Sequence, residues 1–300
     1  MAETQMKTPI DGERPERVRA RSPLEITLRR TMGSGRGKFG VRVILAAVLV
    51  AIFAPLIAPH DPLLQVSGAE LQAPSATYLF GTDHLGRDIA SRVIYGTRVS
   101  ILVGILAAAL GAGVGTTLGL VAGYFGGVAD AVIMRFCDAL HAFPTILLGI
   151  AVATALGPGM TNVAYAIALA QLPNFARVTR AAVLVEKRRN YVLASISLGA
   201  GPTRVLTRHI LPNCISPLLV QLTLTMTYAI LIEAGLSFLG LGAQPPTPTW
   251  GGMLADSRAY LQEAPWIGFW PGMALAVLLL GLNFLQEAIR DALDPRHISK

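Results

Sequence analysis

Six apolar runs constrain this chain more than any other feature. They cover about Val41–Ala58, Ser100–Gly123, Ala131–Leu156, Val163–Leu184, Ile215–Leu239 and Trp266–Ile289. Each is near the ~20 residues a helix needs to cross roughly 30 Å of hydrocarbon. The third and fourth carry short polar interruptions. Composition agrees, with 53% hydrophobic and 14% charged residues, where a soluble domain has about 25% charged. The first run lies behind about 40 polar residues, and most runs exceed the ~10–15 residues of a signal-peptide core. The expectation is an all-α polytopic membrane protein with six transmembrane helices and no cleaved signal.

The formal net charge is +7, and its placement gives the orientation. With both termini inside, 21 of the 25 Lys and Arg residues fall on inner segments. Ten precede Ile44, Arg135 follows the second run, seven lie from Arg177 to Arg208, and three from Arg290 onward. Only Arg87, Arg92, Arg98 and Arg258 fall outside. Cytoplasmic loops are enriched in Lys and Arg, so both termini are expected in the cytoplasm. A membrane-anchored nucleic-acid binder does not explain a basic excess distributed by topology.

Residues 1–40 are Arg-, Pro- and Gly-rich without apolar period. They read as a disordered or surface-lying cytoplasmic tail that can hold anionic headgroups of the membrane lipid at about 1 kcal/mol per basic residue. Residues 41–99 read as the first span with an extracytoplasmic segment, and 100–300 as five spans with a cytoplasmic hairpin at 187–212. "GSGRGKFG" (Gly33–Gly40) superficially resembles a phosphate loop. It fails, because Met32 stands where the first glycine is required and Phe39 where a Ser or Thr must follow the lysine.

The second run carries Gly111, Gly115, Gly119 and Gly123, each four apart and hence on one helix face. Such a face admits another helix backbone at close range. Few polar residues interrupt the runs. Asp138 and His141 lie in the third, with Arg135 placed to pair with Asp138, and Glu233 lies deep in the fifth. Buried ionisable groups in membranes are candidate gate or pathway residues. A single Glu is weak support for an ion relay. The two cysteines, Cys137 and Cys214, lack metal-ligand spacing and read as packing thiols. The five histidines are scattered, and no GxSxG, HExxH or nucleotide loop is present. No catalytic constellation emerges, so uphill transport needs a partner or an ion gradient.

Between the fourth and fifth runs lies "YVLASISLGAGPTRVLTRHILPN", from Tyr191 to Asn213. Tyr191–Leu198 has helical spacing. Gly199, Gly201 and Pro202 break it. A second short helix, about Thr203–Ile210, carries Arg204, Arg208 and His209, and Pro212 marks the start of the fifth span. The pattern gives a compact knob with an apolar side and a basic rim, suited to a groove on a soluble partner.

This stretch resembles the coupling motif of binding-protein-dependent ABC importer permeases, an E-A-A triplet followed by Gly and then by Leu-Pro. The triplet maps to Leu193-Ala194-Ser195, the Gly to Gly199 and the end to Leu211-Pro212. Leu193 and Ser195 depart from the usual Glu and Ala, which puts any ion pair of that Glu in doubt. "LFGTDHLGRDIASRVIYGTRVS" (Leu79–Ser100), "GLVAGYFGGVADAVIMRFCD" (Gly119–Asp138), "SFLGLGAQPPTPTWGGML" (Ser237–Leu254) and "RDALDPR" (Arg290–Arg296) are similar to the C-type permease of dipeptide and oligopeptide importers. Nickel, glutathione and opine importers belong to the same wider group. The resemblance runs from about Leu45 to Arg296.

The resemblance implies a type I ABC importer permease fold in the bacterial inner membrane. It implies a heterodimer with a second permease, two ABC ATPase subunits docked beneath, one of them on the Tyr191–Pro212 hairpin, and an extracytoplasmic binding protein. Catalysis is then absent from this chain, which needs no cofactor; ATP and Mg belong to the ATPase subunits. Short peptides are the expected substrates, with glutathione, nickel chelates or opines as alternatives. Asp83, as cap of a short helix, Arg87, Asp88, the proline-rich Gln244–Thr249 stretch and Trp250, placed at the membrane interface, are expected at the outer lip. The rival reading is an ion-coupled secondary transporter, which internal repeats would favour; the sequence displays none.

Overall fold

The computed structural model describes residues 23–293, with side chains from Thr27 onward. Residues 1–22 of the expected tail, and Asp294–Arg296 of the last resembling stretch, lie outside the described residues. The helices are α1 (Pro23–Gly33), α2 (Gly35–Ile57), α3 (Ile89–Phe125), α4 (Gly127–His141), α5 (Thr145–Leu156), α6 (Met160–Glu186), α7 (Asn190–Ser197), α8 (Pro202–Val205), α9 (Leu211–Phe238), α10 (Trp250–Ser257) and α11 (Trp266–Leu293). A π-turn, Leu206–Ile210, joins α8 to α9. No strand forms among the described residues; one isolated bridge joins Thr82 and Asp88.

Among the described residues, four helices are long and apolar enough to cross a membrane: α2, α3, the continuous Pro202–Phe238 stretch, and α11. A fifth crossing forms if α4 and α5, bent by 90°, count as one span. The third run was expected as a single helix. Pro144 explains the break, because its ring excludes a helical backbone before it. Asp138 and His141 consequently sit in the last turns of α4, not the first turns of a span.

The second span begins eleven residues earlier than its apolar run. Asp88 starts α3, its Oδ2 accepting the Ser91 N–H at 2.9 Å. Arg92 and Arg98, expected in an outer loop, are on the helix itself. Arg92 is folded in, 5% exposed, with Nη1 donating to the Pro62 carbonyl at 3.2 Å. At 37 residues α3 is about 55 Å long.

The N-terminal region also departs from expectation. From Pro23 the chain is helical, and Ser34 caps α2 by accepting the Gly37 N–H. "GSGRGKFG" is therefore a helix start. The tail segment is docked as well: Arg30 donates to the Ala292 carbonyl at 3.3 Å and Arg36 pairs with Glu287 at 2.9 Å.

The centre of the bundle is the pairing of α3 with α6. α6 is too polar to register as a span, yet 13 of its 27 residues are buried. Around the pair, one core joins Val103, Ile167, Ala229 and Leu236 from α3, α6 and α9. A second joins Ile101, Ile230, Trp250 and Leu282. Large apolar side chains on α2, α4 and α5, among them Leu56, Val128, Val132, Phe136 and Leu147, face outward. The α7–α8 hairpin, α1 and the end of α11 share one end of the bundle. Segments 58–88 and 239–265 share the other.

Candidate functional site

The hairpin is built on a buried apolar knot. Val183 of α6, Val192 of α7, Val205 of α8, Ile210 of the π-turn and Cys214 of α9 are fully buried together. Each of the four aliphatic side chains contributes on the order of 1.5–3 kcal/mol of burial, so the knob is fixed to the bundle. Gly199 closes α7 with φ +84°. The Ala200 N–H reaches Ser195 O at 3.1 Å and the Gly199 N–H reaches Ile196 O at 2.9 Å. This paired pattern satisfies the last carbonyls of α7 and needs a left-handed residue between.

The second short helix was expected to end before Pro212. Instead α8, the π-turn and α9 run on without a break. A proline ring collides with the carbonyl four residues back in a regular helix. Here the backbone widens, and the Leu211 N–H bonds Leu206 O five residues back. The Asn213 side chain takes up His209 O at 2.7 Å.

Tyr191 braces this joint. Its hydroxyl donates to the Glu186 carboxylate and accepts from Asn213 Nδ2 at 3.0 Å, tying the end of α6 to the start of α9. Burial of the hydroxyl end, then the Glu186 carboxylate, push Tyr191 from its usual 10.0 up to about 12. A raised pKa favours the protonated form, so that stabilisation holds below about 10 and fades only between 10 and 12. The brace is insensitive to pH near neutrality. Outward from it, Ala194, Leu193, Ile196, Leu198, Arg204 and Arg208 are exposed, with Ser195 half-buried. Neither arginine has a hydrogen bond or ion pair among the described residues. Sequence reasoning missed Glu186, Asn213 and the anchor at Lys187, whose Nζ donates to Tyr124 O at 2.6 Å.

The glycine face of α3 lies against α6 of the same chain. A Cβ on Gly115 would sit 2.6 Å from Phe175 Cβ and 2.7 Å from Leu172 O. On Gly119 it would sit 2.5 Å from Ala176 O, and on Gly123 2.8 Å from Val183 Cβ. Gly111 is looser, with Ala168 O at 3.4 Å.

Asp138 pairs with Arg177 of α6 at 2.9 Å, not with Arg135. A second link was missed by sequence reasoning: Asp130 of α4 holds Arg180 of α6 by two bonds of 2.5 and 2.6 Å. Glu233 is 1% exposed, and its carboxylate accepts from Ser237 Oγ at 2.7 Å and Ser100 Oγ at 3.3 Å. Ser237 lies one turn along α9, so the Ser100 hydroxyl alone ties α9 to α3, and no second ionisable group bonds the carboxylate among the described residues. Glu233→Gln retains an acceptor for Ser237, so uptake by the reconstituted complex should stay close to wild type. Glu233→Leu strands both hydroxyls and should cost about 1–3 kcal/mol in thermal stability. Loss of uptake in Glu233→Gln with an unchanged melting midpoint would assign transport to the charge itself.

At the opposite end, the residues expected on an outer lip are mostly buried. Asp83, Arg87 and Asp88 are 4%, 6% and 2% exposed. Asp83 caps a turn, not a helix, accepting the N–H of Leu85 at 2.9 Å and of Arg87 at 3.0 Å; Arg87 Nε donates to its other oxygen at 2.6 Å. Trp250 faces into the protein rather than outward. It is 2% exposed, packed against Gly96, and its Nε1–H donates to Val93 O at 3.0 Å. Trp266, missed in the sequence, does the same for Thr82 O at 3.1 Å. Only the Gln244–Thr247 stretch remains exposed. It rims a cavity of about 570 Å³ lined by His84, Arg92, Ser237, Asp256 and Arg258 among others.

Comparison with known proteins agrees with this architecture. A family described as the N-terminal TM domain of oligopeptide transport permease C matches residues 22–74, so the likeness begins before the sequence motifs do. The di/tripeptide transport system permease protein DppC of Pseudomonas aeruginosa is 45% identical over 263 residues, 86% of this chain and 87% of that protein. The dipeptide transport system permease protein DppC of Escherichia coli is 46% identical over 263 residues, 86% of this chain and 88% of its own length. A chain from the inward-facing MetNI methionine ABC transporter superposes with a TM-score of 0.54 at 16% identity, covering 68% of this chain and 97% of that one. The fold is that of a type I ABC importer permease. A model of the binding-protein-dependent transport system inner membrane component family matches residues 115–299, and the chain belongs to that family.

Proposed function

We propose that this chain is the C-type permease of an importer of short peptides, working as a heterodimer with a second, homologous permease. α6 completes a set of six crossings, both termini face the cytoplasm, and the α7–α8 hairpin docks on one of two ABC ATPase subunits. Those subunits bind ATP and Mg, and this chain hydrolyses nothing. A binding protein delivers substrate to the end formed by segments 58–88 and 239–265. The carrying observation is the exposed hairpin surface, two arginines unpaired among the described residues beside exposed Leu193, Ile196 and Leu198, on a knot packed against α6 and α9. The substrate class rests on the peptide permease relatives, 45–46% identical over 86% of the chain.

The test is uptake of labelled dialanine by cells that lack other peptide importers and carry the whole complex. Uptake should need the ATPase subunits and survive a protonophore while ATP is maintained. Uptake that persists with the ATPase nucleotide sites inactivated, and collapses with the proton gradient, would favour the secondary-transporter reading.

A further inference from the structure

The cavity at the binding-protein end has a chemistry that no role described so far uses. One wall is the start of α3 and the turn before it, with His84, Arg87 and Arg92; the other is the 239–258 segment, with Asp256 and Arg258; Ser237 belongs to its lining. Three guanidinium groups face one carboxylate in this lining. They are not equally committed. Arg87 is held by Asp83 at 2.6 Å. Arg92, 5% exposed, has Pro62 O and a longer 3.6 Å approach to Asp83. Arg258 bonds only Ala255 O, within its own helix end, through Nε at 3.2 Å. Its guanidinium carbon lies 4.4 Å from the centre of the Phe238 ring, which holds the group in place while leaving its terminal nitrogens without an acceptor among the described residues. Asp256, two residues away, makes no hydrogen bond or salt bridge among the described residues; its charge is felt by Arg92 across the cavity without a direct contact. The His84 ring stacks on Tyr260 at 5.2 Å, and its Nδ1 is buried without a partner.

A cation whose terminal nitrogens lack an acceptor, an anion without a direct partner and an unpaired buried nitrogen around one concavity match a small zwitterion. The volume of about 570 Å³ lies within the roughly 300–1,000 Å³ of small-molecule sites. We propose that this cavity is a receiving site for a short zwitterionic peptide, with Arg258 and Arg92 taking its terminal carboxylate and Asp256 its terminal ammonium. Guanidinium suits a carboxylate because its fork of donors meets both oxygens. The site lies on the side where the binding protein releases its load, so it deepens the peptide-import reading and rests on it. A receiving site needs weak affinity, since a tight one would retain the substrate. The exposure of Arg258 and Asp256 to water fits that need, because solvent screens exposed charge pairs.

The experiment uses the complete complex in nanodiscs without binding protein, with dialanine as probe and saturation-transfer NMR as readout. Wild type should give a transfer signal with dialanine that is several-fold weaker with dialanine amide or N-acetyl-dialanine, each of which lacks one charged terminus. Arg258→Gln and Asp256→Asn should each lose most of it while retaining wild-type melting midpoints. Equal signals from wild type and the double variant overturn the site, as does loss of binding-protein retention in Arg258→Gln with the dialanine signal intact, which makes the cavity a protein-docking surface. Uptake separates the two readings. Normal dialanine uptake with no variant-sensitive signal rejects the cavity alone. A variant-sensitive signal in a complex that never accumulates dialanine rejects peptide import and keeps the cavity.

Discussion

Gly119→Leu should abolish the assembled complex, whereas Gly113→Leu, six residues earlier on the same helix, should be close to neutral. The contrast follows from what each new side chain meets. At Gly113 a Cβ has nothing within 4 Å. At Gly119 the Cβ alone would lie 2.5 Å from Ala176 O, 2.6 Å from Thr179 Cβ and 3.1 Å from Arg180 N. Two of these three are backbone atoms of α6, which no rotamer change can move aside. Overpacking a core costs about 1–3 kcal/mol when side chains can adjust, and here α6 itself must retreat. Its retreat also strains the Asp130–Arg180 pair, because Arg180 follows Thr179 on the affected turn. The expected readout is loss of the monodisperse complex in detergent for Gly119→Leu and Gly115→Leu, with Gly111→Leu intermediate. A Gly119→Leu complex with intact stoichiometry, melting within about 2 °C of wild type, would show that α3 and α6 separate freely. A lipid-facing stripe would predict the opposite order, with all four glycines tolerant.

That face was legible because a four-residue glycine spacing has one structural consequence on a helix, close approach of another backbone. What the spacing cannot say is which backbone, since α6 advertises itself poorly. Its Gln171, Asn174, Arg177 and Arg180 lower its hydropathy below that of a span, and they are tolerable only because α4 supplies Asp130 and Asp138. The same blindness shortened α3. Arg92 and Arg98 end an apolar run, but Pro62 O and Asp83 receive the first, and the second lies 5.8 Å from the Tyr95 ring. For Arg92, a partner thirty residues away turns a loop-like charge into a helix residue; for Arg98, a ring one turn back on the same helix does so. Pro144 and Pro212 look alike in the sequence and act differently. Pro144 begins a new helix across a 90° bend, whereas Pro212 sits within the first residues of α9 after a π-turn has absorbed its missing N–H. The hairpin itself was legible because Gly199 marks a left-handed closure. The brace from Tyr191 to Glu186 and Asn213 was not, because it joins three elements with no shared period.

The hairpin prediction follows from that distinction between closure and surface. Gly199 has φ +84° with open space where a Cβ would stand, so a substitution there is opposed by backbone strain alone. Valine at positive φ costs on the order of 1–2 kcal/mol, and its branched Cβ makes it less tolerant than most residues. The strain falls on the end of α7, where it would undo the Ala200–Ser195 bond and turn exposed Leu198 and Ile196 away from their set directions. The paired change Arg204→Glu with Arg208→Glu acts differently, reversing the charge of the rim and leaving the apolar knot of Val192, Val205 and Ile210 untouched. Tyr191→Phe isolates the third element, removing the hydroxyl that joins Glu186 to Asn213 while keeping the ring. All three variants should insert and assemble with the second permease, since Arg204 and Arg208 lie in the exposed first turns of the Pro202–Phe238 stretch and no apolar residue of a span is altered. Charge reversal should lower retention of the ATPase subunits in a pull-down, by at least tenfold if about 1.4 kcal/mol of docking is lost. Gly199→Val and Tyr191→Phe should retain the ATPases better but lose the rise in ATP hydrolysis that the loaded binding protein produces, because the docked knob no longer moves as one body with α6 and α9. The measurement is ATPase activity of the reconstituted complex with and without loaded binding protein, beside that pull-down. Wild-type retention with wild-type stimulation in every variant would leave the hairpin a solvated loop.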